Sequence, residues 1–200
     1  LRISNALMPI AIVIHCLNVY EIMNKKVILV GPSKSLLNNK LGKIIDSYDV
    51  VCRMNSGGKP DLFSDENKEI IGSKKTIWLC KHIGLLNIYK HHGYEQVVSF
   101  PENNNFNQKC IDILNNFNGF DAQPTCGILS IIYLIDLYNK IDICGMDGFK
   151  GGHWYGNMVL QNQNESDKIA ARGFGRHNVV EETKYINYLV NQNKIKIIDE

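Results

Sequence analysis

The chain reads as a three-layer, Rossmann-like α/β fold around a largely parallel sheet. Short apolar runs alternate with longer stretches of helical periodicity, the mark of repeated strand–helix–strand units. Two polar turns, Gly31-Pro32-Ser33 and Pro124-Thr125-Cys126-Gly127, each lead into a helical stretch. With 200 residues, 44% hydrophobic and 21% charged, the chain has enough material for one domain with a full core.

The elements follow in order. Residues 27–30 are an apolar run that ends at Gly31-Pro32-Ser33, a buried strand entering a tight turn. Leu36, Leu37, Leu41, Ile44 and Ile45 recur at three-to-four spacing, which predicts one amphipathic helix. Residues 49–52 form a second strand, and Arg53 to Gly58 a loop. Residues 76–80 and 94–99 are the third and fourth strands, the latter closed by Pro101. A polar loop at Asn103, Asn104 and Asn105 precedes a helix over 106–117. A further helix over 128–138 follows the Pro124 turn, and a strand over 141–144 ends at Gly145. Residues 148–156 are a glycine-rich, aromatic loop, and 158–175 are polar and weakly periodic, as a surface segment would be. A helix over 179–190 and a strand over 195–198 complete the pattern. No internal repeat is present in the sequence.

Residues 6–19 are apolar but contain Pro9, His15 and Asn18, and they fall short of the roughly 20 residues a spanning helix needs. Residues 1–22 therefore read as a leader or loose N-terminal arm ahead of a single domain over 23–200, with membrane association left open. Twenty-two Lys and Arg against 20 Asp and Glu leave a formal charge of +2, so nucleic acid is not an expected partner. Six cysteines, at 16, 52, 80, 110, 126 and 144, are too few for a disulfide scaffold and form no CxxC pair. Cys52, Cys80 and Cys144, in or beside apolar strand-like runs, read as buried thiols, and all six are expected to be free, which fits a reducing compartment. There is no HExxH and no dense His/Asp/Glu cluster, so no metal is expected.

Four constellations are chemically informative. The turn at Gly31 and Ser33 joins a strand to a helix start, where backbone N–H groups can hold a phosphate; equally, Ser33 or Ser35 caps the helix. It is neither a GxGxxG nor a Walker loop. Thr125, Cys126 and Gly127 repeat that form, with Thr125 a candidate cap and Gly127 leaving room for a ligand. Cys126 has no supporting Cys-His-Asp pattern as a nucleophile. His153, Trp154 and Tyr155 stand among Gly151, Gly152 and Gly156, where the rings can stack on a flat base or sugar and the imidazole can meet a phosphate. His177 precedes the last helix with Glu181 and Glu182 near one turn on, so a carboxylate can orient the imidazole as a general base. The plain alternative is a capped His at a helix start.

These segments, in this order, resemble the sialylmotifs of the eukaryotic-type sialyltransferase family, glycosyltransferase family 29. The large motif is similar to residues 27–33, continuing through Leu36, Gly42, Ile45, Asp46, Asp49-Val50-Val51 and Arg53-Met54-Asn55, with its tail at Ile71-Gly72-Ser73-Lys74-Lys75-Thr76. The small motif resembles Pro124 to Gly127 continuing to Ile141-Asp142-Ile143-Cys144-Gly145-Met146. His153-Trp154-Tyr155 stands where the family has His-Tyr-Tyr, and His177 with Glu182 resembles the very small motif. The resemblance covers about residues 26–190. It implies a modified GT-A-type glycosyltransferase fold and an inverting, metal-independent transfer from a CMP-sugar donor, usually CMP-sialic acid, to a glycan acceptor hydroxyl. It implies that Asn55 holds CMP, with Gly31, Ser33, Thr125, Cys126, Gly127, Gly145, Trp154 and Tyr155 on the donor side. It further implies His177 as catalytic base, His153 as a catalytic contact to the phosphate, and Glu182 as support.

Several positions depart from the family pattern. Pro32 replaces an Asn that contacts the nucleotide, and Gly57-Gly58 replaces an Ala-Pro. Val27 and Tyr138 stand where the family has a disulfide joining the large and small motifs. The family's Golgi anchor and stem have no clear counterpart, so a cytoplasmic or peripheral membrane location is expected ahead of a Golgi one. Three alternatives accompany this reading: a Kdo transferase, a non-catalytic nucleotide- or glycan-binding protein on the same scaffold, and an unrelated nucleotide-using α/β enzyme.

Overall fold

The computed structural model describes residues 21–55, 63–81, 93–100, 104–118, 123–146 and 177–198. Along the chain these form β1 (Val27–Val30), a 3-10 turn (Lys34–Asn38), α1 (Gly42–Asp46), β2 (Val50–Met54), α2 (Asp65–Ile71), β3 (Ile77–Cys80) and β4 (Gln96–Ser99). They continue with α3 (Asn104–Asn118), α4 (Cys126–Tyr138), β5 (Ile141–Cys144), α5 (Val179–Asn191) and β6 (Ile195–Ile197). The six strands make one sheet in the order β4-β3-β2-β1-β5-β6. Every neighbouring pair is parallel.

The central strands are apolar without alternation because both faces of the sheet are covered. β1, β2 and β3 are buried along their whole length. Successive side chains point to opposite faces. Leu29, Cys52, Leu79 and Ile143 join one core with Ile128, Ile131 and Ile132 of α4, Leu114 of α3 and Leu189 of α5. Ile28, Val30, Val51 and Cys144 join the other with Leu36, Leu41, Ile45 and Ile71. These are the three layers of the expected fold. At the edges, β4 and β6 are only partly covered, as their mixed sequences allow.

The topology also locates a crevice. From β1 the chain builds outward through β2, β3 and β4, then returns to place β5 and β6 on the other side. The sheet order therefore reverses between β1 and β5. In open α/β sheets ligands bind beyond the carboxyl ends of the strands at such a reversal.

Three local expectations change. The single helix expected across Leu36 to Ile45 is instead a 3-10 turn and a short helix, separated near Lys40, whose φ is +39°. The hydrophobic spacing still marks the buried side, with Leu36, Leu41 and Ile45 inside, but Leu37 and Ile44 face solvent. Helix α2 was not anticipated. Ser64 starts it by accepting the Asn67 N–H at Oγ (3.4 Å), Asp65 and Glu66 occupy its first turn, and Gly72 ends it at φ +70°. Arg53 and Met54 belong to β2 rather than to a loop. Arg53 is fully buried, and it is satisfied by donating Nη2 to the Ile71 and Lys74 carbonyls (2.8 and 3.0 Å), with the Phe63 ring 4.7 Å away.

Cys52, Cys80, Cys110, Cys126 and Cys144 are buried free thiols, and Cys16 lies outside the described residues. Val27 and Tyr138 pack within one hydrophobic cluster. No helix among the described residues is long and apolar enough to cross a membrane.

Candidate active site

Gly31 and Gly145 meet at the sheet reversal. The Gly31 N–H donates to the Cys144 carbonyl (2.8 Å), and the Ser33 N–H to the Gly145 carbonyl (2.9 Å). A Cβ on Gly31 would lie 2.2 Å from the Gly145 oxygen, so only glycine permits this approach. Gly145 has φ +64°, and a Cβ there would meet Leu36 at 2.7 Å. Ser33 Oγ accepts the Ser35 N–H at 3.1 Å and caps the 3-10 turn. The expectation of an outward-facing phosphate cradle at Gly31 is therefore corrected. Its N–H groups at 31 and 33 are committed to the β5 carboxyl end, and Pro32 has none.

Across the crevice, α4 points its N-terminus at the same strand ends. A Cβ on Gly127 would meet Met146 at 2.8 Å and approach Met54 at 4.0 Å, which seats this first turn over the ends of β2 and β5. Thr125 is the cap, its Oγ1 accepting the Ile128 N–H at 3.1 Å. The Cys126 thiol is turned inward, 3.7 Å from the Leu79 carbonyl, and burial pushes its pKa up to about 12. That leaves no thiolate for nucleophilic attack at neutral pH.

The segment 123–125 that enters α4 is held at every residue. His177 Nδ1 lies 2.6 Å from the Gln123 carbonyl. Lys81 Nζ donates to the Pro124 carbonyl at 2.5 Å. Thr125 donates its N–H and its hydroxyl to the two oxygens of Glu182, at 2.7 and 2.6 Å. His177 and Glu182 come from the start of α5, which Asn178 caps by accepting the Glu181 N–H at 3.3 Å. Either Glu181 or Glu182 was expected to be able to orient the imidazole, and Glu181 Oε1 accepts from Lys184 Nζ (2.7 Å). The Glu182 oxygens instead grip Thr125, and the Gln123 carbonyl faces His177 Nδ1.

Asn55 stands just past β2 in a left-handed conformation, φ +43°, which is uncommon for a residue other than glycine. Its backbone carbonyl accepts from Trp78 Nε1 (2.9 Å), and its Oδ1 accepts the Lys81 N–H (3.0 Å). The side-chain NH₂ keeps its own donors. Asn55, Lys81, the 123–125 segment, His177 and Glu182 thus form one connected group at the carboxyl side of the sheet.

The electrostatics follow from burial. Desolvation raises the Glu182 carboxyl to about 7, against the lowering effect of its two Thr125 bonds and of Lys81. Desolvation likewise lowers the Lys81 ammonium, while Cys126 and Glu182 act to raise it. Among the described residues no group of three or more His, Cys, Asp or Glu is placed to hold a metal ion. His153, Trp154 and Tyr155 lie outside the described residues. Lys81, Gln123 and Trp78 were missed in the sequence. Lys81 alone carried a signal, being a lone charge directly after an apolar strand.

The largely parallel α/β sheet is consistent with a GT-A-like glycosyltransferase fold. Two solved structures share the overall fold, a mammalian sialyltransferase and the same kind of protein in complex with Gal-beta-1-3GalNAc-ortho-nitrophenol. Their TM-scores are 0.59 and 0.60 at 16% and 17% identity, covering 99% and 98% of this chain and 82% and 81% of those. Residues 18–105 match glycosyltransferase family 29 (sialyltransferase). A curated relative, the CMP-N-acetylneuraminate-beta-galactosamide-alpha-2,3-sialyltransferase 1 of Mus musculus, is 25% identical over an alignment of 214 positions that covers 90% of this chain. The match spans 62% of the mouse protein's length. The chain is thus similar to glycosyltransferase family 29, with the family match covering a little under half of its length.

Proposed function

We propose that the chain transfers sialic acid, or a related ulosonic acid such as Kdo, from a CMP-linked donor to a glycan hydroxyl, with inversion and without a metal. The observation that carries this reading is the contact of His177 Nδ1 with the Gln123 carbonyl. A carbonyl only accepts, so Nδ1 holds a proton, and in its neutral form the ring offers the Nε2 lone pair as a base. Nε2 takes the proton of the acceptor hydroxyl as its oxygen bonds to the anomeric carbon. The bond from that carbon to the phosphate oxygen breaks on the opposite side, and CMP leaves with the electron pair. One displacement of this kind inverts the centre.

The Asn55 NH₂ is the donor left for the nucleotide, because Lys81 occupies its Oδ1. Thr125, Cys126 and Gly127 line the donor side through backbone, and Gly31, Ser33 and Gly145 shape its floor. His153 acts on the leaving phosphate, with Trp154 and Tyr155 beside it; this part of the reading rests on the motif resemblance. The match of residues 18–105 to family 29 and the fold shared with a mammalian sialyltransferase support the donor class.

Calorimetry with CMP, AMP and NAD, with and without EDTA, combined with CMP release from several CMP-sugars and mixed acceptors, tests the proposal. CMP is expected to bind most tightly and to be indifferent to EDTA. His177→Ala is expected to lower turnover at least about 10²-fold while CMP affinity changes little. Equal binding of adenine nucleotides overturns the donor assignment. Near-wild-type turnover in folded H177A removes His177 as base. The committed Gly31 turn favours one other reading, a binding protein on the same scaffold. CMP binding without CMP release from any donor selects it.

A further inference from the structure

The end of β3 carries a half-buried cation that no motif assigns. Lys81 follows Cys80 directly and makes two contacts of different kinds. Its backbone N–H fixes the Asn55 side chain at 3.0 Å. Its Nζ reaches the Pro124 carbonyl at 2.5 Å. Pro124 lies between Gln123, whose carbonyl meets His177 Nδ1, and Thr125, whose N–H and hydroxyl meet Glu182. α5 therefore holds the two ends of this short segment, and among the described residues Lys81 alone ties its middle to the sheet.

We propose that Lys81 is a positioning residue. It sets the segment 123–125 against the end of β2, so that the Gln123 carbonyl aims the His177 imidazole while Asn55 stays placed for the nucleotide. The proposal rests on the reading of His177 as base and Asn55 as nucleotide contact.

A lysine suits the task. Its long stem lets Nζ reach the Pro124 carbonyl, and its charge strengthens a hydrogen bond to a neutral carbonyl. Proline at 124 has no N–H, so its carbonyl is the backbone group by which this residue can be held. Glu182 also faces Lys81 and supports its charge in a desolvated place. Without the ammonium, α5 alone would hold the segment, and the carbonyl before Pro124 would lose its fixed aim. A misplacement of about 1 Å at a distance from the chemistry costs up to about 10²-fold in rate.

The test uses the whole chain with Lys81→Met, which keeps stem and backbone but removes the ammonium, and Lys81→Arg, which keeps a charged donor. Three quantities are read: CMP affinity, kcat and KM on a working donor and acceptor pair, and the ¹⁵N signals of the His177 ring, which report its tautomer. K81M is expected to lower kcat about tenfold or more, leave CMP affinity within about threefold, and shift the His177 ring signals away from the Nδ1–H form. K81R is expected to recover most of kcat and the wild-type ring signals. Folded K81M with unchanged ring signals overturns the proposal. So does a rate loss that only follows lost CMP affinity. If wild-type protein turns over no CMP-sugar, the functional reading fails, and the ring signals alone decide the role of Lys81. If K81M does not fold, Lys81→Gln takes its place, with the same ring shift expected and the same unchanged signals overturning.

Discussion

Glu182 is 5% exposed, and its two oxygens are filled by one threonine. Burial disfavours its charge more strongly than Thr125 and Lys81 favour it, so its pKa rises from 4.5 to about 7. The folded state then holds a proton that the unfolded state has lost over that window. Stability from this group is fully present below about pH 4.5 and falls as pH rises toward 7, after which it is flat. Glu182→Gln has no proton to lose. The difference in unfolding free energy between wild type and E182Q is therefore expected to drift by roughly 2–3 kcal/mol in favour of E182Q between pH 4.5 and 8. Urea unfolding at several pH values measures it. Parallel pH profiles for the two proteins would show that Glu182 titrates normally. The same residue thus serves the fold and the site at once, because the Thr125 it grips is also the cap of α4.

At the scale of elements, the contact between the ends of β1 and β5 sets the crevice. Gly31→Ala places a methyl 2.2 Å from the Gly145 oxygen, and a backbone oxygen cannot swing aside as a flexible side chain can. The strand ends must part, breaking the Gly31 to Cys144 and Ser33 to Gly145 bonds. A loss of at least about 2 kcal/mol is expected. Gly93 is the control. It has φ +80°, and a Cβ there meets nothing within 4 Å, so Gly93→Ala carries conformational strain alone, about 1 kcal/mol. Chemical denaturation of both variants compares them, and equal losses would mean that the glycine contact at the sheet reversal is not a tight one. α4 works at this scale too. Its N-terminal turn is seated by Gly127 and its cap by Glu182, so sheet, helix and site share the same few atoms.

Across the whole molecule, two apolar clusters on opposite faces of the sheet supply the stability, and five described cysteines are distributed through the strands and helices that build them. The pair Val27 and Tyr138, where the family resemblance places a disulfide, packs within one of these clusters instead. Burial holds the Cys110 and Cys126 thiols up at about 12, so little thiolate forms at neutral pH. Cys52, Cys80, Cys110, Cys126 and Cys144 are expected to label fully when the unreduced protein is denatured, and slowly when it is native. Reductant is expected to leave the melting temperature unchanged. Mass spectrometry of peptides after alkylation counts the labels, and a stoichiometric disulfide between any two of these five would contradict the fold's reliance on packing.

The strand–helix alternation, the positions of the central strands and the burial of the thiols were legible in the amino-acid sequence, because a strand covered on both faces must be continuously apolar. The motif order pointed to family 29 for a similar reason: glycine turns, Asn55 and His177 are local features with fixed spacing. Local signals also misled. The run from Leu36 to Ile45 has helical spacing, yet Lys40 breaks it, since spacing reports which side is buried and not whether the backbone turns without interruption. Arg53 read as a loop residue because a charge looks exposed until the carbonyls of Ile71 and Lys74 are known to receive it. The use of the Gly31 N–H groups, the grip of Glu182 on Thr125, and the reach of Lys81 to Pro124 were decided only by tertiary structure. Each joins residues 43 to 113 positions apart, and no local pattern encodes which donor meets which acceptor across that distance.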